Sequence, residues 1–383
     1  MTAITEVLLG GFAAALVLGA SAQVTRFCPQ GGLRESLLEG KPARMAAYAA
    51  AIGVAMLAVA GLQLVLGQAL APSRPAYLGP ELQWGRYVLG GLLFGAGMVL
   101  ARGCPLRTLV RVGQGSAQAL VLLVVMAVAA YVMTRTALYG AWFAPWLSHL
   151  SVDLRRWGLQ GQGLDALLGL HGLGARVALG ASLGLVLLAL AWRGLPWRQT
   201  RALWFGAALI GLMVAAGYAI TAGPWGSRAL DEAAFLSQPP DGMGVQSFSF
   251  AGPLSDAAYF ALHPASQTLS FGVVAVLGAL GGALLAALLR REFSFEGFAA
   301  PRDMARSLFG AVLTGGGAVL GLGCTVGHGL SGIAVLSAGS MLGGTRPAAP
   351  AVRGCRASPR RPWASRSAGT QRSACRARHS STR

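Results

Sequence analysis

Three short elements hold the residue types best suited to chemistry: Arg26-Phe27-Cys28-Pro29-Gln30-Gly31-Gly32, Arg102-Gly103-Cys104-Pro105-Leu106-Arg107 and Gly323-Cys324-Thr325-Val326-Gly327-His328-Gly329. In each, a hydrophobic run ends, a cysteine follows, and glycine lets another backbone or a ligand approach closely. A helix broken at such a point leaves backbone N–H donors and the positive end of a dipole facing the gap, which favours an anion. The thiol adds a weak S–H donor and a polarisable sulfur, so the anion best matched is soft and carries sulfur of its own. Conduction requires contacts strong enough to replace water and weak enough to release the ion, and spaced thiols meet that better than a buried arginine. Arg34, Arg107 and Arg111 follow their cysteines by several residues and are placed to gather anions at the mouth.

A lone cysteine in an apolar segment is ordinarily a small buried hydrophobe. Three in one context point instead to binding residues: Cys28, Cys104 and Cys324, with Gly103, Gly323 and Gly327 beside them. His328 reads as a hydrogen-bonded structural histidine before a proton relay. Gly95, Gly97, Gly315 and Gly317 read as tight helix contacts. The cysteines lack the C-x2-C spacing of structural zinc, and no Cys/His cluster accompanies them, so no metal or other cofactor is expected. A copper(I) path through soft thiols stays open. Persulfide transfer requires a cysteine reachable from water, and no base or nucleotide motif accompanies these three.

The elements that must position these residues are membrane helices. Of 383 residues, 54% are hydrophobic and 11% charged, against roughly 25% charged in a soluble domain. The crossing candidates are residues 7–24, 45–66, 87–101, 117–133, 175–192, 202–221, 268–289 and 308–323, runs long enough to match about 30 Å of hydrocarbon, with 87–101 and 308–323 short and broken at their cysteines. A net charge of +18 suggests nucleic acid until it is located. Ten arginines lie in residues 346–383 with no acid, and the remaining excess is modest and typical of membrane-protein loops, so no nucleic-acid partner is expected. The arginine-rich loops 193–201 and 290–306 read as cytoplasmic, and 223–263 reads as an irregular cap on the other side.

An internal repeat appears at a shift of 220: Arg86, Gly90, Leu93, Gly95, Gly97, Val99, Leu100, Gly103 and Cys104 fall on Arg306, Gly310, Leu313, Gly315, Gly317, Val319, Leu320, Gly323 and Cys324. Two broken helices in corresponding places of two halves point to a transporter site near the bilayer midplane. The expected fold is therefore all-α, a polytopic integral membrane protein of two pseudo-symmetric halves with broken or re-entrant helices. Residues 1–345 form the transport domain, with repeats about 1–160 and 175–345. Residues 346–383 form an arginine-rich low-complexity tail, read as an altered end standing where a closing apolar helix belongs. Its alternative is a basic tail lying on anionic lipid. The first apolar run lacks a cleavage site and reads as a retained helix.

At these residues the chain resembles the YeeE/YedE sulfur-transport family. The resemblance rests on the three cysteine elements, on Arg291-Glu292-Phe293-Ser294-Phe295-Glu296 with Asp303-Met304, on Gly327-His328-Gly329-Leu330-Ser331-Gly332, and on the segment Val245 to Leu254. It covers essentially residues 1 to 344. It implies a multi-pass inner-membrane importer of thiosulfate or a related sulfur anion, with Cys28, Cys104 and Cys324 as successive contacts along a narrow path. It also implies a small sulfur-carrier partner of the TusA type, or, in some members, a role with selenium compounds. The readings carried forward are a non-enzymatic transporter, a membrane-embedded sulfurtransferase, and a membrane subunit that docks a partner.

Overall fold

The computed structural model describes residues 2–195, 197–236, 242–263, 269–297 and 300–345. The arginine-rich stretch 346–383, with Cys355 and Cys375, lies outside them, as does the Gln238-Pro239-Pro240-Asp241 segment. The helices in chain order are α1 (Ala3–Val24), α2 (Pro29–Leu38), α3 (Ala43–Leu66), α4 (Trp84–Ala101), α5 (Pro105–Gly113), α6 (Ala117–Arg135), the single turns α7 (Ala144–Leu147) and α8 (Leu164–Leu167), α9 (Leu173–Gly194), α10 (Trp197–Ala222), α11 (Pro224–Ala234), α12 (Gly252–Leu262), α13 (Phe271–Leu289), α14 (Pro301–Leu320) and α15 (Ala338–Thr345). Strand structure among the described residues amounts to Glu81–Leu82 paired antiparallel with Val152–Asp153. The protein is an all-α, multi-pass membrane protein: seven stretches, carried by α1, α3, α4, α6, α9, α10 and α13, are long and apolar enough to cross a bilayer.

The eighth expected crossing, residues 308–323, falls in α14, which is 20 residues long. Its first turns carry Arg302, Asp303 and Arg306, and that polar start dilutes an otherwise apolar helix.

Glycine sets how the helices pack. A Cβ on Gly19 would meet the Ala279 backbone, and one on Gly282 the Leu16 backbone, so α1 and α13 pack closely; Gly11 against Phe271 at one end and Gln23 Nε2 donating to Glu292 Oε2 at the other show that they run in the same direction. Gly90 lies against Gly321, Gly97 against Thr314 and Gly317 against Phe94, so α4 and α14 cross antiparallel, again through glycine. In lipid, where burial gives helices no hydrophobic reason to associate, such close backbone contact supplies the attraction. Gly97, Gly315 and Gly317 therefore hold helices together, as their sequence context indicates.

The cap expected over residues 223–263 is not irregular. It contains α11 and α12, and between them Ser247-Phe248-Ser249-Phe250 threads into the interior, with Phe248 and Phe250 fully buried. Its Pro, Gly and Ser content suggested a loop, but the hydroxyls find internal partners that free the backbone to run through the core: Ser247 Oγ donates to Val214 O at 2.6 Å and Ser331 Oγ to Phe248 O at 2.6 Å.

Candidate functional site

Each cysteine follows the same local device. Arg26, Arg102 and Leu322 stand in the left-handed region at φ of 50°, 59° and 66°, and each is two residues before a cysteine. The next amide reaches back five residues, from Phe27 to Ala22 O at 2.9 Å, Gly103 to Met98 O at 3.1 Å and Gly323 to Ala318 O at 2.8 Å. This closes each long helix with a Schellman turn. A non-glycine residue there costs about 1–2 kcal/mol, so the turn is imposed three times against local preference. Arg291, at φ 54°, repeats it at the end of α13, with Glu292 N–H on Ala287 O at 2.9 Å. There Phe293 stands where the others have cysteine, and the chain continues as an extended segment bonded to Gln114 and Gly115.

Turned back in this way, each cysteine opens a short helical segment. Cys28 is the N-cap of α2, with Pro29 in its first turn, and its Sγ accepts the Gly31 N–H at 3.3 Å. Cys104 is the N-cap of α5, with Pro105 in its first turn. Cys324 Sγ accepts the Gly327 N–H at 3.4 Å and, from the threaded segment, the Phe250 N–H at 3.4 Å. Serine, threonine, aspartate and asparagine are the usual caps, and a thiol is a weaker acceptor. Sulfur at the N-caps of α2 and α5, and at the turn that leads into 327–332, is thus a poor choice for stability and a good one for presenting polarisable atoms at positive helix ends.

The three thiols form a series. Cys104, 2% exposed, lies near both Cys28 and Cys324. Tyr48 lies near Cys104 and Cys324, and Arg107 near Cys28 and Cys104. A narrow cavity lies at each end. One is lined by Cys324, Thr325, Gly323, His328, Tyr48 and Phe94, the other by Cys28, Arg26, Phe27, Thr25, Arg44 and Leu203. The Arg26 and Arg44 end is also where α9, α13 and α14 present Arg193, Arg290 and Arg302.

Of the residues singled out in the sequence, Cys28, Cys104, Cys324, Gly103, Gly323, Gly327 and Arg107 come together, and Arg34 does not. It is exposed on α2 and makes no hydrogen bond or ion pair among the described residues, because the turn after Cys28 sends that face of α2 outward. Arg44 takes the place expected of it, lining the Cys28 cavity while paired to Glu35 at 2.9 Å. Gly323 makes room for the His328 ring, which a Cβ would meet at 2.6 Å, and Gly327 for the Tyr77 and Ser249 hydroxyls, each at 2.7 Å. Gly103 has only ordinary contacts around it. His328 is structural: its Nε2 lies 2.6 Å from Gly321 O and its Nδ1 3.0 Å from Ser340 Oγ.

Three buried polar atoms along this series have no hydrogen-bond partner among the described residues: Arg107 Nη1, Tyr77 Oη and Thr325 Oγ1. Leaving such a group unpaired costs about 1–3 kcal/mol. Arg107 was visible in the sequence because it follows Cys104 in the same motif. Tyr48 and Tyr77 were not, since a tyrosine in a span or beside proline carries no signal of its own.

The sulphur transport family profile matches residues 24–345. This chain belongs to that family. It is also 28% identical over 341 residues to the thiosulfate transporter TsuA of Escherichia coli strain K12, an alignment covering 85% of this chain and 87% of that protein. The family match takes in all three cysteine turns, the threaded segment and the described part of α15. Among the described residues no group of three or more His, Cys, Asp or Glu side chains could hold a metal ion.

Proposed function

We propose that the protein imports thiosulfate or a closely related sulfur-bearing anion across the inner membrane, passing it along Cys324, Cys104 and Cys28 without covalent turnover. The observation that carries this reading is the series itself: three thiols, each just past a Schellman turn that ends a long helix, with Cys104 between the other two and an unpartnered Arg107 nitrogen beside it. The backbone N–H donors at Cys28 and Cys324 occupy sulfur lone pairs, which leaves S–H as the group offered to an anion. Soft contacts of this kind are weak enough to hand the ion on.

Direction follows from charge. The Cys28 cavity opens among Arg26, Arg44 and the arginine-rich ends of α9, α13 and α14, the side retained in the cytoplasm. Cys324 then faces the periplasmic half and receives the anion first. A TusA-like carrier would dock on the cytoplasmic side, at the Cys28 end. The two halves are inverted repeats: α4, the Cys104 turn, α5 and α6 correspond to α14, the Cys324 turn, the helical turn at 327–332 and α15. The antiparallel crossing of α4 on α14 supports this, as does the start of α15 at Ala338, one residue past the 220 shift from Ala117. The extra residue falls where Gly327–Gly332 is wound as a π-helix, the form that inserts one residue into a helix.

Labelled thiosulfate uptake in cells lacking other thiosulfate and sulfate importers tests the proposal. The chain should confer uptake, and Cys104→Ser and Cys324→Ser should each reduce it at least tenfold while reaching the membrane in normal amount. Uptake indifferent to both substitutions would remove the thiol path. A +32 Da adduct on any of the three cysteines during turnover would instead indicate persulfide chemistry.

A further inference from the structure

The hydroxyls gathered around Cys324 and its cavity differ in one respect. Tyr48 Oη donates to Thr325 O at 2.8 Å, Tyr218 Oη to Ser331 O at 3.0 Å, and Tyr87 Oη is bonded to Gln162, while His328 has both ring nitrogens occupied. Tyr77 Oη and Thr325 Oγ1 make no hydrogen bond of normal geometry among the described residues, although the Ser249 hydroxyl stands near the first and the Cys104 thiol near the second. Both residues are at least nine-tenths buried, at 2% and 9% exposure. Thr325 lines the Cys324 cavity, with its hydroxyl beside the Cys104 sulfur. The Tyr77 hydroxyl projects over the Cα of Gly327, whose amide is bonded to Cys324 Sγ. Phenylalanine and valine would fill the same space without an unpaired donor, so packing does not account for either hydroxyl.

We propose that Tyr77 and Thr325 form an oxygen-reading pair, donating hydrogen bonds to the oxygen end of the anion while Cys324 and Cys104 contact its sulfur end. The pair rests on the sulfur-anion reading and narrows it. The site then selects an anion with two unlike ends, an oxyanion bearing a terminal sulfur, over one that is oxygen throughout or one that lacks oxygen. A site with donors fixed for particular oxygens discriminates by leaving them unpaired when the wrong anion binds.

The test uses the purified full-length protein and measures binding of thiosulfate, sulfate and thiocyanate, together with thermal unfolding without anion, for the natural chain, Tyr77→Phe and Thr325→Val. Both variants should unfold at the same or a higher temperature, since each loses an unpaired buried hydroxyl. Both should bind thiosulfate roughly tenfold more weakly, the loss of one hydrogen bond to a charged ligand, and thiocyanate unchanged. Unchanged thiosulfate affinity in both variants overturns the pair and leaves the sulfur-anion reading standing. Equal losses for thiosulfate and thiocyanate also overturn it, by showing a general distortion. If the natural chain binds none of the three anions, the sulfur-anion reading itself fails and the pair with it.

Discussion

Arg102 is exposed, stands at φ 59°, and has Asp303 at 3.9 Å as its ion-pair partner. An exposed pair at that distance contributes little, whereas the left-handed backbone costs about 1–2 kcal/mol for any residue with a Cβ. Arg102→Gly should therefore raise the thermal stability of the purified protein, by up to about 1 kcal/mol once the greater freedom of glycine in the unfolded chain is counted. A fall in stability would show that the guanidinium carries more than its geometry indicates. The same residue scale separates cysteine from its nearest replacement. At position 28 serine would be the stronger helix cap, so Cys28→Ser should preserve or improve stability while weakening transport, and only a substitution with opposite signs in the two measurements marks a residue kept for a ligand.

At the scale of elements, glycine divides into positions that packing requires and positions it does not. A Cβ on Gly315 would strike the Met126 backbone between α14 and α6, whereas Gly61, exposed on α3, has nothing within 4 Å. Gly315→Ala should thus cost about 1–3 kcal/mol by forcing two helices apart, and Gly61→Ala should be neutral or stabilising by up to about 1 kcal/mol. Unfolding of both variants in one detergent checks this, and equal effects would refute the packing account of α14. The sequence exposed part of this scale: the 220-residue repeat marked the glycines that make the contact, because they recur in the same order, but that α4 packs on α14 was decided only by the fold. It did not expose the path of Ser247-Phe248-Ser249-Phe250, since alternating serine and phenylalanine bounded by glycine and proline reads as a surface loop until the hydroxyls are seen to bond inside.

For the whole molecule, the path orders the reactivity of its thiols. Cys28 is partly exposed, while Cys104 and Cys324 are each 2% exposed. In a variant with Cys355 and Cys375 replaced by serine, a small maleimide should modify Cys28 first and the other two far more slowly, because thiol modification requires access. Equal rates would mean that the interior opens more widely than this arrangement allows.

Class and membership were determined by sequence alone, for a physical reason: length and hydropathy suffice to specify membrane spans, and a motif repeated at fixed spacing survives whatever the helices do around it. The positions of Cys28, Cys104 and Cys324 at the ends of apolar runs were legible on that basis. Only the tertiary structure decided which polar groups face one another. Arg34, singled out along the chain, stands exposed on α2, while Arg44 at the start of α3 lines the Cys28 cavity. Tyr77 lies 248 positions from Thr325, and no local pattern links them. Whether a buried hydroxyl is satisfied depends on distant backbone atoms such as Ser331 O and Thr325 O, and that is settled by packing, not by composition.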